Sequence, residues 1–236
     1  ALTIGNGARV DYPAVVGTWQ LGVGSDTGGN GTLMITGANA AVGNQDVLGA
    51  LATGTNSIGH VVVSVGGSLR LSSLAAFTGV GSTGDISVHG FNSTLHLGNP
   101  MGSGGGLATL NLAAGELFIG PGGMVRTDEG GDMMVGPRAA EVNMPSGTLD
   151  LGGNLTVDGG LLIGTTWHDA KIISGGPSVV HAVNATIKKG IVELSGTAQW
   201  TIDGELSLQI ADVDHPPSLT VGSGSLIRTG ILTVPD

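Results

Sequence analysis

A chain of 236 residues with 45 glycines, 40% apolar residues and only 11% charged ones is neither disordered nor collagen-like. Disorder goes with few apolar residues and many charges, and collagen needs glycine at every third position. The absence of cysteine excludes disulfides, thiol catalysis and cysteine-held metals, and 8 basic against 18 acidic residues give a formal charge of −10, which disfavours nucleic acid and anionic membrane as partners.

In chain order, glycine opens one short alternating segment after another. The series runs through 31–37 (GTLMITG), 66–71 (GGSLRL), 84–88 (GDISV), 115–120 (GELFIG), 147–152 (GTLDLG) and 204–208 (GELSL). Inward candidates recur at Leu33/Ile35, Val61/Val63/Val65, Leu69/Leu71, Ile86/Val88, Leu95/Leu97, Leu110/Leu112 and Leu117/Ile119. They continue at Leu149/Leu151, Leu155/Val157, Ile191/Leu194, Leu206/Leu208/Ile210, Leu219/Val221 and Ile231/Val234. Period-two alternation with glycine and asparagine between segments predicts strands. No 3.6-residue period is sustained, so no helix is predicted. The stretches 41–60 and 121–146 read as loops, the latter broken by Pro121, Pro137 and Pro145. The glycine-rich 102–106 reads as a wide turn within one domain spanning 1–236.

Such units bury their apolar faces only by stacking on copies of themselves. The expected fold is all-β: a single-stranded, right-handed parallel β-helix (β-solenoid). At about 20–25 residues per coil it has roughly ten coils, and at about 4.8 Å per layer it is roughly 50 Å long. Inward Leu, Val and Ile form ladders, and glycines occupy corners where φ is positive. An open solenoid end exposes apolar side chains and strand edges, so association through the ends is expected. Trp19 is a candidate cover for the first coil. No apolar run approaches the roughly 18 residues of a membrane span, so no membrane insertion is expected.

The stretch 84–99 (GDISVHGFNSTLHLGN), running into 106–120 (GLATLNLAAGELFIG), resembles the repeats of bacterial autotransporter passengers and of surface proteins that carry a PEP-CTERM sorting signal. Residues 19–24 (WQLGVG) and 219–224 (LTVGSG) repeat the theme. The resemblance implies a secreted or surface-displayed bacterial β-helix and no particular activity.

Two function classes follow. The leading one is a structural or adhesive module of a bacterial surface that contacts a polysaccharide. The alternative is a carbohydrate-active enzyme, a polysaccharide lyase or glycoside hydrolase, working along a groove. For the enzyme, His168 and Asp169 beside Trp167 form the richest cluster: a proton shuttle, its orienting carboxylate and a ring to stack on sugar. A decorated turn explains the same residues. Trp200 is a second stacking candidate. Asp203 and Glu205, two apart on a strand, are expected to share an outward face at about 7 Å. Asp128, Glu129 and Asp132 are a calcium candidate, since hard cations take clustered oxygen ligands; a solvated loop is the plainer account. No other cofactor is implied. The four Asn-x-Thr matches at Asn30, Asn92, Asn154 and Asn184 are ascribed to composition.

Overall fold

The computed structural model describes residues 1–10, 19–43, 47–98, 108–159, 161–163, 166–211 and 214–234. For Trp19, 161–163 and 166–168 it describes the backbone alone. The expected all-β solenoid is what the chain forms: apart from one small hairpin, the strands pair in parallel and stack in register.

Each winding contributes three strands. The first face stacks nine of them: Leu2–Gly5, Asn30–Thr36, Ile58–Ser64, Thr83–His89, Gly115–Ile119, Ala140–Met144, Lys171–Ser174, Ile191–Leu194 and Ser218–Val221. The second face carries Arg9–Val10, Ala41–Val42, Ser68–Leu71, Ser93–Leu97, Gly123–Thr127, Thr148–Asp150 and Val179–Ala182. The third carries Trp19–Val23, Val47–Leu51, Ser73–Ala76, Thr109–Leu112, Asp132–Val135, Asn154–Asp158 and Asn184–Lys189. Gln199–Leu208 belongs to both. Its first half pairs with Val179–Ala182 and its second with Asn184–Lys189, while Leu226–Thr233 lies over its whole length.

Register places like on like. On the first face Leu33, Val61, Ile86, Leu117, Val142, Ile172 and Val192 form one inward ladder. On the second the ladder is Leu69, Leu95, Val125, Leu149, Val180 and Trp200. On the third it is Leu74, Leu110, Met133, Leu155, Ala185 and Leu206. All are buried and belong to one continuous apolar core. No winding shields its own interior; the neighbours above and below do so.

Several expectations are corrected. The nine strands of the first face mean fewer windings than ten, because most coils are longer than the sequence spacing suggests. A short coil carries Ile172 onto Val192, while much longer ones carry Leu2 onto Leu33 and Ile86 onto Leu117. The segment 41–60 is not one loop: it carries Ala41–Val42, Val47–Leu51 and the start of Ile58–Ser64. The segment 121–146 carries Gly123–Thr127, Asp132–Val135 and Ala140–Met144. Pro121, Pro137 (after a cis bond from Gly136) and Pro145 all fall between strands, where no ladder N–H is needed. Val65 leaves the strand and is 62% exposed. Ile210, Val221, Ile231 and Val234 are also exposed rather than inward. The turn at 102–106 lies outside the described residues.

Candidate functional site

The second face carries a column of polar side chains that alternate with the buried ladder. Arg70, His96, Arg126, Asp150, His181, Thr201 and Arg228 are register partners in succession. Each sits between inward residues, as His96 does between Leu95 and Leu97, so strand alternation turns each outward. Asp128, just past the end of Gly123–Thr127, and Asp203, inside Gln199–Leu208, complete the column.

His181 is clamped from both sides. Its Nδ1 lies 2.9 Å from Asp150 Oδ1, one winding below, and its Nε2 lies 3.0 Å from Asp203 Oδ2, one winding above. The side chain is 38% exposed. The hydrogen bond to Asp150 raises its pKa above the ordinary histidine value; loss of hydration opposes it, and the hydrogen bond and charge of Asp203 add to the rise. Doubly donating imidazolium is the form that satisfies both carboxylates.

His96 is the counterpart with the opposite balance. It is buried, and its Nε2 lies 2.7 Å from Asp128 Oδ1. Burial lowers its pKa and outweighs the Asp128 hydrogen bond; the charges of Arg126 and Arg70 lower it further. The neutral ring donates Nε2–H to Asp128. Arg126 Nη2 lies 3.4 Å from both ring nitrogens, and Nδ1 alone keeps a lone pair for it.

The first face repeats the device at its outward positions. His60, Asp85, Glu116, Glu141 and Lys171 are successive register partners, and His60 Nδ1 meets Asp85 Oδ1 at 2.5 Å. In its later windings the third face sets neutral amides among charged groups, with Lys188 Nζ 3.6 Å from Asp158 Oδ2. Asn154 donates Nδ2–H to Asp132 at 2.9 Å, Asn184 donates to Asn154 at 2.9 Å, and the Glu205 N–H donates to Asn184 Oδ1 at 3.0 Å. Beside this amide ladder stand Thr156, Thr186, Ser207 and Thr233 in register.

The predicted site residues are dispersed by this framework. Trp167 and His168 lie on strand Thr166–His168, which pairs antiparallel with Leu161–Ile163 apart from the stacked faces. Their side chains lie outside the described residues, as does that of Trp19. Asp169 follows, half-buried. Trp200 is 1% exposed and therefore cannot stack on a sugar. Its inward turn follows from register with Val180, and its Nε1–H donates to Ser174 Oγ at 3.2 Å inside the core.

Asp203 and Glu205 do not share a face. A register shift between Ile202 and Glu205 takes the chain round a corner. Asp203 therefore joins His181 on the second face, while Glu205 accepts from Thr233 Oγ1 at 2.6 Å on the third.

Asp128, Glu129 and Asp132 do not assemble a calcium cage. Asp128 serves His96, and Asp132 Oδ1 accepts from both the Asn154 N–H at 2.7 Å and its amide. Among the described residues no group of three or more His, Asp and Glu is placed to hold a metal ion.

His96, Asp150 and His181 escaped the sequence reading, though a signal existed. Leu69-Arg-Leu71, Leu95-His-Leu97, Leu149-Asp-Leu151 and Val180-His-Ala182 share one pattern, a polar residue between two inward ones. Aligning these triplets would have stacked the charges.

No family model matches the chain, and neither a curated protein nor a solved structure matches it.

Proposed function

We propose that this chain is a non-catalytic β-solenoid module of a bacterial surface, a rod that presents hydrogen-bonding faces to polysaccharide. The observation that carries the reading is the double clamp on His181. A proton shuttle needs a ring nitrogen free to reach substrate. Both nitrogens of His181 are spent on the chain's own carboxylates, and His96 is buried against Asp128. The titratable groups on the second face tie one winding to the next instead of converging on a reacting atom.

The groups best suited to a partner are the neutral ones, which stand beside the Asp158–Lys188 pair. The amide and hydroxyl columns of the third face repeat at the layer spacing, about 4.8 Å. They suit a chain of sugar hydroxyls better than they suit an ion. The net charge of −10 argues the same way, against polyanions. The resemblance of 84–120 to passenger and surface-protein repeats supports placing the rod outside the cell.

The test incubates the protein with glucans, galactans and polyuronates, reading retention alongside reducing-end and unsaturated products. The reading expects retention by at least one polymer with no product. Product that disappears in Asp169→Ala or His168→Ala would replace it with the enzyme, and retention by no polymer would remove the adhesive role.

A further inference from the structure

At the corner between the first and second faces, three successive windings turn at 37–40, 65–67 and 90–92 and enclose a groove of about 380 Å³. We propose that this groove binds a neutral pyranose unit of a polysaccharide. The proposal rests on the polysaccharide reading above and gives it a location.

Three observations carry it. Phe91 is 81% exposed, a large apolar ring held in water. It lines the groove together with Val65, itself 62% exposed. Beside them stand Ala38 and Gly66, too small to cover the ring: a Cβ built on Gly66 would lie 3.4 Å from the Ala38 Cα and 3.8 Å from the Phe91 carbonyl oxygen. The shape is a ring flanked by open space.

Val65 also has φ +53. That conformation is rare for a β-branched residue and costs stability. In the turns at 37–40 and 90–93 the positive φ of the central pair falls one residue later, at Asn39 and Asn92, the places of Gly66. The turn at 5–8 is the true counterpart of 64–67, with positive φ at both central residues, and there Asn6 (φ +31) stands where Val65 does. Asparagine tolerates that conformation, so Asn6 is what a purely structural choice looks like, and Val65 departs from it by presenting an apolar wall.

The lining chemistry selects the ligand. Among the described residues no Asp, Glu, Lys, Arg or His lines the groove, so it offers an ion no countercharge. A sugar ring has an apolar C–H face for Phe91 and Val65 and equatorial hydroxyls for the amides of Asn39 and Asn92. Its volume falls within the roughly 300–1,000 Å³ typical of ligand clefts.

The experiment is affinity electrophoresis of the full chain in native gels cast with a soluble glucan, a galactan or a polyuronate. The variants are Phe91→Ala, Ala38→Leu, which fills the groove, and Val80→Ala, a control for removing an exposed apolar side chain (73% exposed) elsewhere. A neutral polymer should retard the parent chain. Phe91→Ala and Ala38→Leu should each weaken binding about tenfold, roughly the worth of one stacked ring, and Val80→Ala should match the parent. Equal retardation of parent and Phe91→Ala, or retardation by polyuronate alone, overturns the site and leaves the polysaccharide reading intact. Retardation by no polymer takes both down.

Discussion

Gly59 lies directly over Leu51: a Cβ at Gly59 would stand 2.3 Å from Leu51 Cδ1. Leu51 ends a third-face strand, and Gly59 sits near the start of the next first-face strand. Gly31 and Gly84 are its register partners. Gly31 stands in the same way against Val23, while Gly84 and Gly115 stand against the ring of Phe77, at 3.0, 2.8 and 2.8 Å. The last inward side chain of one winding tucks beneath the first residues of the next.

Gly59→Ala is therefore expected to destabilise by about 1–3 kcal/mol, the usual cost of overpacking. Gly7→Ala is the contrast. Its φ is +75, but nothing lies within 4 Å of an added Cβ, so only backbone strain of about 1 kcal/mol is expected. Thermal melts of the two variants check the order. Adding Leu51→Val to Gly59→Ala should recover part of the loss, since the two sites couple through contact.

This contact also marks how far the sequence could be read. The glycine signature was legible, and so was the stacking it implies. Its cause was half legible. Gly84 and Gly115 have positive φ, as expected of corners, but Gly31 and Gly59 do not. They are glycine because the end of the preceding third-face strand needs the space, Val23 against Gly31 and Leu51 against Gly59. Alternation along a single strand carries no trace of that demand. Composition likewise accounts for Asn154-x-Thr156 and Asn184-x-Thr186 as long as the chain is read linearly. In the fold both pairs point outward two residues apart and stack as an amide rail beside a hydroxyl rail. What escaped was register. Coil length is uneven, short from Ile172 to Val192 and long from Leu2 to Leu33, so no fixed period would have placed His181 between Asp150 and Asp203.

Arg138 ties together windings that are not adjacent. The corner at Ala113 and Ala114 is only two residues long, between Leu112 and Gly115. Across this gap Arg138 donates from Nη1 to the Gly79 carbonyl at 2.5 Å and from Nη2 to that of Phe77. Burial lowers the pKa of its guanidinium, which stays charged. Arg138→Met should cost about 1.5–3 kcal/mol, the loss of charge-assisted bonds to backbone carbonyls. Arg138→Lys should recover only part, because an ammonium cannot span both carbonyls as a planar fork does. Melting temperatures of the two variants rank the effects. Equal stability of Arg138→Met and the parent would refute the tie.

The two clamped histidines should give the rod opposite pH responses. The pKa of His181 is raised on folding. Its contribution is complete below the unfolded value, about 6.5, and is lost as pH climbs through the folded value. The pKa of His96 is lowered. Its contribution is present above the unfolded value and is lost as pH falls towards the folded one. His181→Gln should therefore narrow its stability gap to the parent between pH 6 and pH 8, with an effect of at most about 1 kcal/mol because the site is solvent-screened. His96→Gln should flatten the parent's decline between pH 7 and pH 5. Melts across this range, with each histidine carbon shift followed by NMR, separate the two.

Trp200 supplies the sharpest discrimination between core and ligand roles. It is 1% exposed and in register with Val180, and its indole N–H donates to Ser174 Oγ, which lies 2.6 Å from Ser178 Oγ. Ser174 Oγ keeps its hydrogen bond with Ser178 Oγ when the indole N–H is removed. Trp200→Phe should cost about 1–2 kcal/mol, from one hydrogen bond and a small void. Trp200→Ala should cost about 3–5 kcal/mol, because the windings on either side cannot close over so large a cavity. Neither substitution should change polysaccharide retention at temperatures where the variant is folded, whereas Phe91→Ala should change retention and leave the melt alone. The opposite pattern, binding lost in Trp200→Phe at unchanged melting temperature, would mean that the indole faces the ligand and that the second-face register is wrong.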